Sequence, residues 1–302
     1  MSASSRTIAS ALLGLAALTA GLRVDAATCP PDGYTKEALV ALKANKWQLA
    51  DEVARQLLAL SLVDCLESPD PQLRDELAFE GLQAMLRGSA LGGETIERLY
   101  ARLMADLGDR DDPTSFRRPF DALALAEVAR VDRLKPFLSP EDRHALVFRA
   151  FTYLTTVSDY RGFDETEGWR HGVAHGADLA LQLALNPQLD AAEGEMLRTA
   201  IGSQVLAAGS HAYRYGEPER LVAPLFYLAR RSWWPATDWE KWFDALAARV
   251  PADAFKSQAG LAARNNATAF LSTLYVALRE SGNAEVEALL LPGVRKALKK
   301  LD

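Results

Sequence analysis

Three side chains in the middle of the sequence have the spacing of a metal site. His171, His175 and Asp178 stand at i, i+4 and i+7, which on a helix brings them to one face within two turns. Histidines one turn apart can supply two ligands to zinc or another divalent metal, and Asp178 could ligate or orient a ring from behind. A third histidine, His211, lies in the polar phrase GSHAYRYGEPERL. If that phrase faces the first, His171, His175 and His211 form a three-histidine set. The chemistry would then be that of a metal-dependent hydrolase or lyase, with Asp164, Asp178 or Glu217 serving a bound water as acid or base. Because HGVAH carries Gly172 where a metalloprotease helix carries its glutamate, a zincin is excluded.

The same region reads equally as a ligand cleft without catalysis. Residues 158–168 form a polar loop in which Asp159, Arg161, Asp164, Glu165 and Glu167 stand beside Tyr160 and Phe163, with Trp169 next. Arg161, Trp169, Tyr213, Glu217 and Arg220 are the candidates for ligand contact, in a cleft centred on residues 158–220. A small molecule, a peptide or a cell-envelope component would fit there. A packing role competes with both readings. Gly172 and Gly176, one turn apart, would let a second helix approach closely, while the histidines satisfy carbonyls and Asp178 pairs with Arg170 or Arg161. Glu217 would be a helix-start acid paired with Arg220. Trp233, Trp234, Trp239 and Trp242 read as core, with Asp238 capping a helix. His144 reads as a solvated surface residue, and the sequon at Asn266 carries no assigned role. Phosphate loops, nucleophile elbows and dinucleotide fingerprints do not occur.

The elements that position these groups are helices. Apolar residues recur at three- and four-residue spacing along nearly the whole chain, without sustained alternation, so the fold class is all-α. Breakers such as Ser68-Pro69-Asp70-Pro71, Gly92-Gly93 and Asn186-Pro187 divide it into about a dozen helices. In CLESPDPQLRDELAFEGLQAML, a Pro-Asp-Pro turn is followed by Leu73, Leu77, Leu82 and Leu86, a helix hairpin of HEAT-like kind with Arg74 on its exposed side. Ser139-Pro140 predicts an N-cap and first helical position, and Asp190 with Glu193 a capping box. The resulting expectation is a HEAT-like α-α superhelix of antiparallel helix pairs, with an α/α toroid as the alternative.

Residues 1–26 have the form of a signal peptide: Arg6, an apolar run from Ile8 to Leu22, then Val24-Asp25-Ala26. That run is about 15 residues, short of the roughly 20 a membrane-spanning helix needs. No later segment is apolar enough to span, so residues 27–302 are expected as one exported helical-repeat domain, periplasmic or secreted. The net charge of −6 argues against a nucleic-acid partner. The only two cysteines, Cys29 and Cys65, are expected to pair in an oxidising compartment.

Taken together, RGF, then GWRHGVAHGADL, then YGEPERL resemble a bacterial family catalogued as domain-of-unknown-function family 2785, over roughly residues 35 to 280. The family's phrases fall on Arg161, Gly162, Gly168, Trp169, His171, His175, Asp178, Gly216, Glu217, Arg220 and Leu221. The resemblance implies a helical fold and brings no established activity with it.

Overall fold

The computed structural model describes residues 28–109 and 111–302; the expected leader at residues 1–26 lies outside the described residues. Among them twelve α-helices follow one another. The first four are α1 (Lys36–Ala44), α2 (Glu52–Leu62), α3 (Glu80–Arg87) and α4 (Gly93–Gly108). Next come α5 (Arg117–Leu134), α6 (Pro140–Thr156), α7 (Gly172–Leu185) and α8 (Ala191–Gln204). The chain ends with α9 (Glu217–Ala229), α10 (Ala236–Ala248), α11 (Gln258–Glu280) and α12 (Ala284–Leu301). The fold is all-α, as periodicity predicts. Helix α5 packs on α7, α7 on α9 and α9 on α11, while α4 packs on α6 and α6 on α8. Consecutive pairs α4/α5, α6/α7 and α8/α9 tie the two rows together.

Local chemistry sets the helix boundaries. Ser139 accepts a hydrogen bond from Asp142 N at 3.0 Å with Pro140 opening α6. Asp190 and Glu193 form both halves of a capping box. Asp238, by contrast, caps nothing: α10 begins after Pro235, and Asp238 sits in its first turn paired with Lys241. Of the four tryptophans, Trp239 is wholly buried, and Trp233, Trp234 and Trp242 are half-buried against the core.

Two expectations change in the N-terminal part. Between the turn and α3, residues Gln72–Phe79 form a π-helix, which agrees with the five-residue step from Leu77 to Leu82 and lets Leu73, Leu77, Leu82 and Leu86 all enter the core. Arg74, expected on the exposed side, is 0% exposed. The changed helical pitch turns it inward against Phe116 and Phe120, with Cζ 3.9 and 5.1 Å from the ring centroids. Cys29 and Cys65 are joined as a disulfide, which fastens the N-terminal segment to the end of α2 and the 3₁₀ turn Val63–Glu67.

Helix α7 is the centre of the fold and is buried on nearly every side. Its small residues explain how: a Cβ added at Gly172 would stand 2.9 Å from the Tyr153 hydroxyl, and one at Gly176 would stand 2.6 Å from Leu154 Cδ2. The glycine pair lets α6 approach α7, as their one-turn spacing allows.

Candidate functional site

The stretch expected as a loop is a small hairpin. Strands Phe163–Asp164 and Gly168–Trp169 pair antiparallel, with Phe163 opposite Trp169. Asp164 closes the turn, its Oδ1 accepting from Thr166 N at 2.8 Å and Glu167 N at 2.9 Å. Those two amides hold its carboxyl below the usual range. The hairpin is fastened to the π-helix from 93 residues away: Arg74 Nη2 donates to Glu167 O at 2.7 Å, and Nη1 to Ser68 O at 2.8 Å. Asp75 ion-pairs with Arg74 Nε at 2.7 Å and accepts from Trp169 N at 3.4 Å. Gly168 makes the close approach possible, because its φ is +72° and a Cβ there would meet Pro71 Cβ at 2.7 Å.

From the hairpin the chain enters α7 through His171, whose backbone is left-handed at φ 53°. Its N–H donates to Arg161 O at 3.0 Å, and Arg170 N to Gly162 O at 3.0 Å, so the loop overdetermines a conformation that non-glycine residues rarely adopt. That backbone decides where the ring points. His171 precedes the helix, so the i, i+4 rule does not apply to it.

The two rings stay edge-on at 5.7 Å but turn to different partners. His175, fully inside α7, turns its Nδ1 to Pro119 O at 3.2 Å and sets its ring edge-on to Phe120 at 5.0 Å. Burial drives its pKa down to about 3, so the ring is neutral. The His171 ring stacks on Trp169 at 4.8 Å and directs Nε2 to within 3.6 Å of Glu217 Oε1. Among the described residues no group of three or more His, Cys, Asp or Glu side chains is arranged to hold a metal ion. The expected zinc set of His171, His175 and His211 thus finds no such arrangement among the described residues, although the His171 and His175 rings do meet edge-on at 5.7 Å.

What the structure does pair is His171 with Glu217, while His211 stands between Tyr160 and Tyr213 within electrostatic reach of the same carboxyl. Gly216, at φ 87°, starts α9 and places Glu217 at its first position, where the helix dipole favours an acid. Glu217 Oε2 accepts from Tyr215 N at 2.9 Å, leaving Oε1 for His171. The preceding segment is pinned by Asn266 of α11: its Oδ1 accepts from Tyr213 N at 2.8 Å and its Nδ2 donates to His211 O at 2.9 Å. Tyr160 stacks on His211 at 5.5 Å, and Tyr213 meets both rings edge-on. Tyr215 stands edge-on to Trp169 at 5.9 Å. An added Cβ at Gly162 would stand 2.0 Å from Tyr215 Cδ2, which is why glycine occupies that position.

Burial lowers the pKa of His171 and of His211, and Glu217 pulls both the other way. The Nε2 atoms of both rings are shielded from solvent and lack any hydrogen-bond partner. Glu217 itself is 2% exposed. Two imidazoles, each held down by burial and each pulled up by Glu217, thus lie under the influence of one buried acid, with aromatic rings on either side.

The remaining expected residues lie at the rim. Asp178 pairs with Arg220, both carboxylate oxygens 2.6 Å from Nη1, rather than with Arg170 or Arg161. Burial raises the Asp178 carboxyl and Arg220 opposes the rise. Since Arg220 is committed to Asp178, it makes no pair with Glu217. Arg161 is exposed and pairs with Asp159, and Arg170 pairs with Glu167 at 2.7 Å. Tyr213 is buried, its hydroxyl donating to Gln204 O at 2.9 Å, so it supports the site rather than faces a ligand. Asp164 is an exposed turn residue whose Oδ1 is taken by the amides of its own turn. His144 is exposed but 3.3 Å from Glu193. Sequence reasoning missed Arg74, Asp75 and Asn266; an Asn-Asn pair inside an otherwise amphipathic helix was the signal for the last.

Fold and site together define an all-α protein of packed helix pairs that carries one polar, aromatic-walled cluster at the entries of α7 and α9. The chain belongs to the family described as Protein of unknown function (DUF2785), whose profile matches residues 103–276. The match runs from within α4 into α11 and includes the whole cluster, but not Arg74 or Asp75. Comparison with curated proteins and with solved structures gives no match.

Proposed function

We propose that this chain is an exported helical-repeat protein, a HEAT-like superhelix over residues 27–302, that binds a small polar molecule at His171, Glu217 and His211. The observation that carries the reading is the pair of shielded imidazole Nε2 atoms without partners beside a 2%-exposed carboxylate. Buried polar groups are ordinarily satisfied, and an unsatisfied set at one place calls for a ligand or water to complete it. Trp169 and Tyr160 supply apolar faces at the same place. Export is supported by the leader-like residues 1–26 and the Cys29–Cys65 disulfide. No helix among the described residues is long and apolar enough to cross a membrane.

The test is a thermal-shift screen of the purified chain against monosaccharides, short peptides and cell-envelope fragments. A saturable rise in Tm that disappears in Glu217→Gln is expected. Hits that bind Glu217→Gln as well as wild type overturn the assignment. A second reading rests on the 3.6 Å separation of His171 Nε2 and Glu217 Oε1: a neutral His171 held by Glu217 can act as a general base. Turnover of any hit, lost in His171→Asn with binding retained, would establish that reading.

A further inference from the structure

A cavity of about 150 Å³ opens among the start of α5, the end of α6 and the start of α7, and no histidine lines it. Whereas Trp169 and His171 stack on each other, the Arg170 side chain between them runs to Phe116, its Cζ 4.1 Å from the ring centroid. Arg170 is 7% exposed; Nη1 pairs with Glu167, and Nε has no hydrogen-bond partner. Arg170 lines the cavity together with Arg118, whose Nε donates to Leu107 O at 3.4 Å and whose Cζ lies 5.3 Å from the Tyr153 ring centroid. The start of α7 joins them. Its first helical hydrogen bond is His175 N to His171 O, no side chain caps it, and Gly172 forms part of the cavity wall. The amides of residues 172–174 therefore have no helical acceptor. Two carboxylates, Asp112 and Asp159, line the same cavity, with the hydroxyls of Ser115 and Thr156.

We propose that this cavity binds a small zwitterion, an α-amino acid. Its carboxylate is taken by Arg118, Arg170 and the uncapped amides of α7, a pairing of fork-shaped donors with a helix N-terminus that suits one negative charge. Its ammonium group is taken by Asp112, whose Oδ2 also accepts from Arg118 N at 3.0 Å, with Asp159 beside it in its pair with Arg161; the two carboxylates would repel a dianion such as phosphate. At ~30 Å³ for each water in the liquid, the cavity has room for about five, close to the bulk of an amino acid with a short side chain. This site is distinct from the imidazole cluster and does not depend on it.

Isothermal titration of the full chain with L-alanine, sodium acetate and inorganic phosphate tests the assignment. L-alanine is expected to bind with a Kd of about 1 mM or tighter, acetate and phosphate at least about tenfold more weakly. Arg118→Gln should weaken L-alanine about tenfold or more, and Arg118→Lys by less, since a lysine keeps the charge without the fork. No heat with L-alanine at about 10 mM, about ten times that Kd, overturns the proposal. So does an affinity unchanged in a folded Arg118 variant. Acetate or phosphate binding as tightly as L-alanine refutes the zwitterion and leaves a plain anion site.

Discussion

Replacing Arg74 by methionine keeps most of the side-chain volume and removes the guanidinium that joins the π-helix to the hairpin. Two hydrogen bonds to carbonyls, at 2.8 and 2.7 Å, are lost; bonds from a charged donor contribute about 1.5–3 kcal/mol each. The face of Phe116, 3.9 Å below Cζ, contributes about a further 1 kcal/mol. Asp75 is left with Trp169 N as its remaining hydrogen-bond partner. Burial already raises its carboxyl and lowers Arg74, so each depends on the other for its charge. Desolvation of the guanidinium offsets part of this sum, and a net loss of about 3–5 kcal/mol is expected, the range for breaking one half of a buried pair. Urea unfolding followed by circular dichroism gives the stability, and amide exchange at Phe163–Trp169 gives the local effect. Exchange there should accelerate more than in α11, and Arg74→Met/Asp75→Asn should recover part of the loss. A loss below about 1 kcal/mol, or hairpin exchange no faster than the global change requires, would refute the clamp.

Asp121 is 0% exposed, neither carboxylate oxygen has a partner, and burial raises its pKa well above the usual range. The folded state therefore keeps a proton that the unfolded state releases, so stability should fall as pH rises above about 4. Asp121→Leu, of similar shape, should stabilise by about 1–3 kcal/mol at neutral pH and flatten that slope in denaturation measured from pH 4 to 7. His175 has the opposite sign. With its folded pKa at about 3, the unfolded state takes up the proton first, and its contribution is lost as pH falls from about 6.5; ring carbon shifts by NMR should show no titration of His175 above pH 4. Removing the disulfide with Cys29→Ala/Cys65→Ala should cost about 4 kcal/mol by the chain-entropy relation for a 36-residue separation, read as a lower urea midpoint. Gly162→Ala should displace Tyr215 and cost about 1–3 kcal/mol, with a change in Trp169 fluorescence.

Helical periodicity, the caps at Ser139 and Asp190 and the cysteine pair were legible because each is a local rule acting within a few residues. The π-helix was written in the five-residue step between Leu77 and Leu82, yet a regular helix was the stronger prior, and with it Arg74 went to the wrong side. In the site, the two polar phrases around His171 and His211 were found and do meet. Spacing at i and i+4 presumes that both residues are helical, whereas His171 is left-handed and precedes α7, so its ring meets that of His175 edge-on at 5.7 Å while its Nε2 turns to Glu217. No sequence signal fixes that residue's φ, because it is imposed by Arg161 O and Gly162 O from the loop before it. Asn266 and Asp75 act across 53 and 94 residues, separations at which one sequence carries no pairing information.

The central claim is that His171, Glu217 and His211 form a ligand site completed by a bound small molecule. It is tested most directly by titrating the confirmed thermal-shift hit into protein carrying ¹⁵N-labelled histidine. The Nε2 resonances of His171 and His211 are expected to move together and saturably while His175 stays still, and Glu217→Gln to abolish the change. Saturable binding that leaves both Nε2 signals in place would contradict it.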